Sequence, residues 1–171
     1  MIDKHTVGYF NGIYYFNFKT ITTSQNNVLK ACYDFKEHFI KHPKSKVKLD
    51  FTDTQFIYPD YALLFICTVK HLESLNIKIT GEINYNDSLL INYLCRINFF
   101  KNLNINIPDQ FKRIRTDKFV EIQNYNEKNQ LAVLNSIMKV IVNNSCINVN
   151  VSTSLDYCLN EVLDNVLNHS E

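Results

Sequence analysis

Glu161, Asn165 and His169 are spaced i, i+4 and i+8 in the stretch Asn160-Glu-Val-Leu-Asp-Asn-Val-Leu-Asn-His-Ser170. On a helix that spacing lines them up in one row. A carboxylate, a carboxamide and an imidazole in a row suit a site for nucleotide phosphates and Mg²⁺. The hard cation takes oxygen ligands.

The helix that must carry this row is expected from Thr153 to Ser170. Leu155, Cys158, Leu159, Val162, Leu163, Val166 and Leu167 recur at helical spacing and predict a core-facing stripe along it. Thr153 and Asp156 have the separation of an N-terminal capping pair. Upstream, Lys128–Val142 predicts a helix with Leu131, Leu134, Ile137, Met138 and Ile141 on one face. Phe119–Ile122 reads as a strand, and Ile147–Val151 as a loop or short strand.

The first part of the chain alternates strands and helices. Asn11-Gly12 joins the aromatic runs Thr6–Phe10 and Ile13–Phe18 and suits a two-residue hairpin turn. Ser24 is a cap for a helix to about Ile40, on which Val28, Ala31, Cys32, Phe35 and Phe39 share a face. Lys46–Phe51 alternates with period two and predicts a strand. A helix over Tyr61–Leu75, a strand over Ile77–Thr80 ended by Gly81, a helix from Ser88 to about Asn98 capped by Asp87, and a strand over Leu103–Ile107 follow. Leu89, Leu90, Tyr93, Leu94 and Ile97 are expected on one side of that last helix. The order implies an α/β fold with a sheet covered by helices. Residues 111–117, with Lys112, Arg113 and Arg115, read as a linker between a domain over 1–110 and a second over 118–171.

Composition narrows the classes of partner. Lys and Arg number 18 against 17 Asp and Glu, for a net charge of +1. That balance argues against a nucleic-acid backbone or an anionic membrane as partner. Apolar residues at 46% are enough for a real core. No run approaches a membrane span and the N-terminus lacks a signal-peptide core, so a cytoplasmic location is expected. The five cysteines are odd in number and scattered, which argues against disulfides or a zinc site. They are expected as small buried hydrophobes. None sits in a turn at a helix start, so a cysteine hydrolase is disfavoured. His38, His42 and His71 are expected on solvated helix edges. The Asn, Ile and Lys richness is read as compositional bias.

The order of elements over residues 6–108 resembles the STAS fold of anti-sigma-factor antagonists and sulfate-transporter tails. The stretch Val47-Lys-Leu-Asp-Phe-Thr-Asp-Thr-Gln-Phe-Ile-Tyr-Pro-Asp-Tyr61 carries the likeness, with Lys78-Ile-Thr-Gly81 matching the next strand. The resemblance implies a protein partner. In regulatory members a serine opening the helix is phosphorylated, and Asp60 falls at or near that position. Phosphate transfer there is therefore not expected. Asp60 is expected either as an N-cap or as a permanent charge that mimics phosphoserine.

The closing segment resembles the N-box of GHKL ATPases, the group that includes histidine kinases, anti-sigma kinases and gyrase-type topoisomerases. The resemblance implies that Asn165 ligates the Mg²⁺ bridging the ATP phosphates and that Glu161 is the catalytic carboxylate. His169 and Asn168 then fall at nucleotide-contacting positions, Asn168 where many histidine kinases have a basic residue. Such enzymes also need an Asp-x-Gly-x-Gly box and glycine-rich closing boxes, whereas Gly8, Gly12 and Gly81 are the only glycines in the 171 residues. The nucleotide domain is therefore expected to be an incomplete α/β sandwich, inactive in this form, whose remainder lies beyond Glu171. Self-association through the uncovered apolar stripe follows. The alternative is a non-enzymatic, STAS-like interaction module.

Overall fold

The computed structural model describes the backbone of residues 8–21, 25–107, 111 and 118–169. Two compact units divide the chain, Met1–Arg113 and Ile114–Glu171.

The first unit opens with a hairpin. β1 (Gly8–Phe10) and β2 (Ile13–Asn17) pair antiparallel, with Phe10 opposite Ile13. Asn11 and Gly12 supply the two positive φ angles, 48° and 79°, that a tight hairpin turn of this twist requires. A short helix α1 (Phe18–Ile21) and then α2 (Gln25–Lys41) lead to β3 (Lys46–Asp50). α3 (Pro59–Ser74) returns the chain to β4 (Gly81–Asn84), and α4 (Ser88–Arg96) and α5 (Phe99–Asn102) follow. The sheet order is β1-β2-β3-β4, with β2, β3 and β4 parallel.

Alternation in β2 and β3 explains the layering. Tyr14, Phe16, Val47 and Leu49 are buried, while Tyr15, Lys48 and Asp50 between them are half-buried. The buried side meets α2 and α3. Tyr14 and Phe16 each lie 5.5 Å from Phe35 of α2 between ring centroids, and Phe16 lies 4.5 Å from Phe65 of α3. The core continues through Phe18, stacked on Phe51 at 4.4 Å, to Phe99 and Phe100. Clustered aromatics bury large apolar area with few rotatable bonds, which stabilises this face strongly.

Helix ends follow local chemistry. Asp87 caps α4, its carboxylate accepting from the Leu89 N–H at 2.7 Å. α3 instead starts with Tyr58 at the cap and Pro59 in the first position. Pro lacks only an N–H that would be unpaired there. Asp60 is thus one step inside the helix and not its N-cap. Asn76, Asn98 and Asn104 follow α3, α4 and α5 in left-handed conformation. After α3 the Ile77 N–H donates to Leu72 O at 2.9 Å, and after α5 the Ile105 N–H donates to Phe100 O at 3.1 Å. Asn takes the place glycine usually fills at such ends. The asparagine richness therefore has a structural use in a chain with so little glycine.

Several expected boundaries moved. The fourth strand begins at Gly81, where Ile77–Thr80 had been expected to end. Leu103–Ile107 forms no strand, because Phe99–Asn102 turns as α5 and buries Leu103 and Ile105 on the core instead. Leu89 is 75% exposed; Leu90, Ile91 and Leu94 are the buried side of α4. Cys32 is the buried cysteine, while Cys67, Cys146 and Cys158 are exposed, so most of the thiols are not core residues. The expected Ser24 cap and nearly all of the 111–117 linker lie outside the described residues.

The second unit contains α6 (Gln130–Asn144) and α7 (Val149–His169), which pack on each other. Residues 119–122 are not a strand. α7 starts at Val149, one turn earlier than expected. Thr153 is consequently helical and its hydroxyl donates back to Val149 O at 3.0 Å, so it caps nothing. Leu134 is buried on α6, but Leu131 is 69% exposed.

Candidate functional site

α7 is a continuous helix of 21 residues, and it carries Glu161, Asn165, Asn168 and His169 as exposed side chains. The spacing of four residues sets successive members of the Glu161–Asn165–His169 row about 6 Å apart along the axis. Among the described residues no hydrogen bond or ion pair engages the side chains of Glu161, Asn165 or His169. Their donors and acceptors are open to a ligand. Asn165 and His169 line an open hollow of about 520 Å³ together with Val162 and Val166. Glu161 and Asn168 are not among its lining residues.

The apolar stripe explains how the row is held. Leu155, Leu159, Leu163 and Leu167 are half-buried, whereas Cys158, Val162 and Val166 are exposed. No residue of α7 is fully buried. The expected core stripe is therefore split. The leucine half is partly covered and the valine half is open; α6 packs on α7 within this unit.

Asp164 was not singled out in the sequence, yet it anchors the helix. Its carboxylate accepts a hydrogen bond from the Gln130 side chain at the start of α6. It also faces Tyr125, whose phenol is pushed up by desolvation and by the Asp164 charge. The Tyr125 hydroxyl is buried without a hydrogen-bond partner. The i+3 step from Glu161 to Asp164 separates an exposed carboxylate from a tethering one. The neighbours Gln130 and Tyr125 distinguish the two.

A hard cation fits the row in a limited sense. Asn165 offers one uncommitted carboxamide oxygen, and a Mg²⁺ ion bound with few protein ligands completes its shell with phosphate oxygens and water. Among the described residues no group of three or more His, Cys, Asp or Glu could hold a metal by itself. Among them, too, no helix is long and apolar enough to cross a membrane.

Asp60 lies in the other unit, exposed in the first turn of α3. Aromatic rings surround this turn. Tyr58 lies 5.5 Å from Tyr61 and 5.3 Å from Phe56, and Phe56 stacks near Tyr93 at 5.9 Å. Phe56 is 49% and Tyr58 54% exposed.

No protein-family model, curated protein or solved structure matches this chain.

Proposed function

We propose that this chain contributes a STAS-like regulatory block and the N-box helix of a histidine-kinase-like ATPase. The glycine-rich boxes such an ATPase needs would come from polypeptide outside the 171 residues. In the assembled site Asn165 holds Mg²⁺, which neutralises phosphate charge when bound. Glu161 orients or deprotonates the attacking water or protein hydroxyl. Asn168 and His169 contact the nucleotide. The reaction is ATP hydrolysis or phosphoryl transfer to a protein.

The observation that carries this reading is the row itself. Three polar side chains of the right types stand uncommitted and exposed on one helix, beside a hollow that two of them line. Supporting the STAS-like part are the hairpin, the three parallel strands and the two helices on one sheet face.

The test is isothermal titration of ATP with Mg²⁺ into two proteins: this chain, and the chain extended by whatever its gene encodes after Glu171. The short form is expected to show no tight binding. The extended form is expected to bind, and Asn165→Ala to abolish that binding. Tight ATP binding by the short form, or an extended protein indifferent to Asn165→Ala, overturns the proposal.

A second reading has its own support. The exposed rings of Phe56 and Tyr58 beside Asp60 suit a protein-docking surface. On this reading the chain is a non-enzymatic interaction module. A phosphoserine-mimicking role for Asp60 would then make partner binding sensitive to Asp60→Asn. A partner that binds that variant unchanged rules the mimic out.

A further inference from the structure

His38 and His42 are one helical turn apart at the C-terminal end of α2, and the chain beyond them folds back. The His42 N–H donates to His38 O at 2.8 Å, and the Ser45 N–H donates to His42 O at 3.0 Å. This tight return brings the Ser45 hydroxyl to 3.1 Å from His38 Nε2. The two imidazole rings lie 4.8 Å apart between centroids, tilted by 33°. Tyr9 of the hairpin covers both, 4.5 Å from His38 and stacked on His42 at 5.4 Å. A hollow of about 400 Å³ opens beside them, lined by Tyr9, Gly12, His42, Pro43, Lys44 and Ser45.

We infer that His38 and His42, assisted by the Ser45 hydroxyl, bind a single divalent transition ion of the zinc or copper class. Imidazoles at i and i+4 on one helix face present two nitrogen donors of the borderline softness these ions prefer. The ring orientations are held in advance by Tyr9 and by Tyr14, 4.6 Å from His38. Pre-orientation lowers the entropy lost on chelation. In one tautomer His38 Nε2 accepts a hydrogen bond from the Ser45 hydroxyl. A cation takes that proton's place as the partner of Nε2, and Oγ is then within reach as a third donor. Two imidazoles and one hydroxyl leave at least one coordination position for water, supplied through the hollow.

Lys44 lines the hollow, and Lys41 precedes His42 in the last turn of α2. None of these residues belongs to α7 or to the turn around Asp60, so the site is independent of the nucleotide proposal.

The experiment titrates Zn²⁺, Cu²⁺ and, as a control, Mg²⁺ into the untagged 171-residue chain by calorimetry, with histidine NMR signals followed in parallel. One saturable ion per chain is expected for Zn²⁺ and Cu²⁺, none for Mg²⁺, with the His38 and His42 resonances shifting. His42→Gln changes an exposed residue and is expected to keep the fold by circular dichroism. It should weaken binding about tenfold or more. Ser45→Ala should weaken it to a smaller degree. His5→Gln, His71→Gln and His169→Gln should bind as the parent does. Absence of saturable binding, or a folded His42→Gln variant that binds unchanged, overturns the site. So does an equal loss in His5→Gln, His71→Gln or His169→Gln. Unchanged binding by Ser45→Ala overturns the third donor.

Discussion

Gly81 lies opposite Val47 across the β3–β4 pair, so close that a methyl group on Gly81 would overlap the Val47 carbonyl oxygen and Cγ1. The strand needs glycine here because the clash would be with backbone, which cannot rotate away. Gly81→Ala is expected to destabilise the first unit by about 2–3 kcal/mol through forced separation of the strands. Urea unfolding followed by circular dichroism measures this. A variant within a few tenths of a kcal/mol of the parent would mean that the two strands can part freely.

Phe65 of α3 is 1% exposed and joins α2 and α3 to the sheet. Its ring contacts Phe16, Phe18 and Phe35 at centroid distances from 4.5 to 5.3 Å. Phe65→Ala should cost about 3–5 kcal/mol, the transfer loss plus a cavity the neighbouring rings cannot fill. Loss of near-ultraviolet tyrosine dichroism before helix signal in a denaturant series would show the same loosening.

Asp87 and Asp60 both open helices, with different consequences. Asp87 accepts from Leu89 N–H, so Asp87→Ala should cost about 1 kcal/mol. Asp60 caps nothing and adds only the favourable field of a helix N-terminus, so Asp60→Ala should cost no more than about 0.5 kcal/mol. Equal losses in the two variants would contradict the assignment of Tyr58 as the cap.

Stability should fall at both ends of the pH scale for stated reasons. His38 is held below 6.5 in the folded chain, so the unfolded chain takes up a proton first and stability declines as pH falls from about 6.5. At the other end Tyr14 is pushed up from 10.0 to about 12 by burial, with smaller contributions from Asp34 and Cys32, and burial pushes Cys32 from 9.0 to about 11. Both favour the neutral form in the fold. Their contribution is full below pH 9 and is lost as pH rises through 11 and 12. Thermal melts from pH 4 to pH 12 test both limbs; His38→Gln should flatten the acid limb alone.

Val162 and Val166 are 58% and 51% exposed on one side of α7. An apolar strip of this kind favours self-association. Light scattering at increasing concentration should show a dimer, and Val162→Lys with Val166→Lys should return the monomer. A chain that stays monomeric in the millimolar range would remove α7 as an association surface. Glu161→Gln and Asn165→Ala, both at exposed positions, should leave stability within about 0.5 kcal/mol, so any effect on nucleotide binding is a direct one.

Local chemistry by itself determined much of this protein. The Asn11-Gly12 turn, the alternation of β3, the apolar face of α2, the Asp87 cap and the helical row Glu161–Asn165–His169 all follow from neighbours a few residues apart. Those interactions need no distant partner to be read. What the rest of the chain decided lay elsewhere. Leu103 and Ile105 alternate like a strand, but the aromatic core drew them in through a helical turn. Gly81 opens β4 because Val47 lies opposite, and Asp164 is a tether because Gln130 meets it. The His38–Ser45 contact depended on a reversal of the chain, and Tyr9 of β1 meets the same histidine from the hairpin. Each of these outcomes is set by packing between segments distant in sequence, where the hydrophobic effect and the pairing of polar groups outweigh local preference.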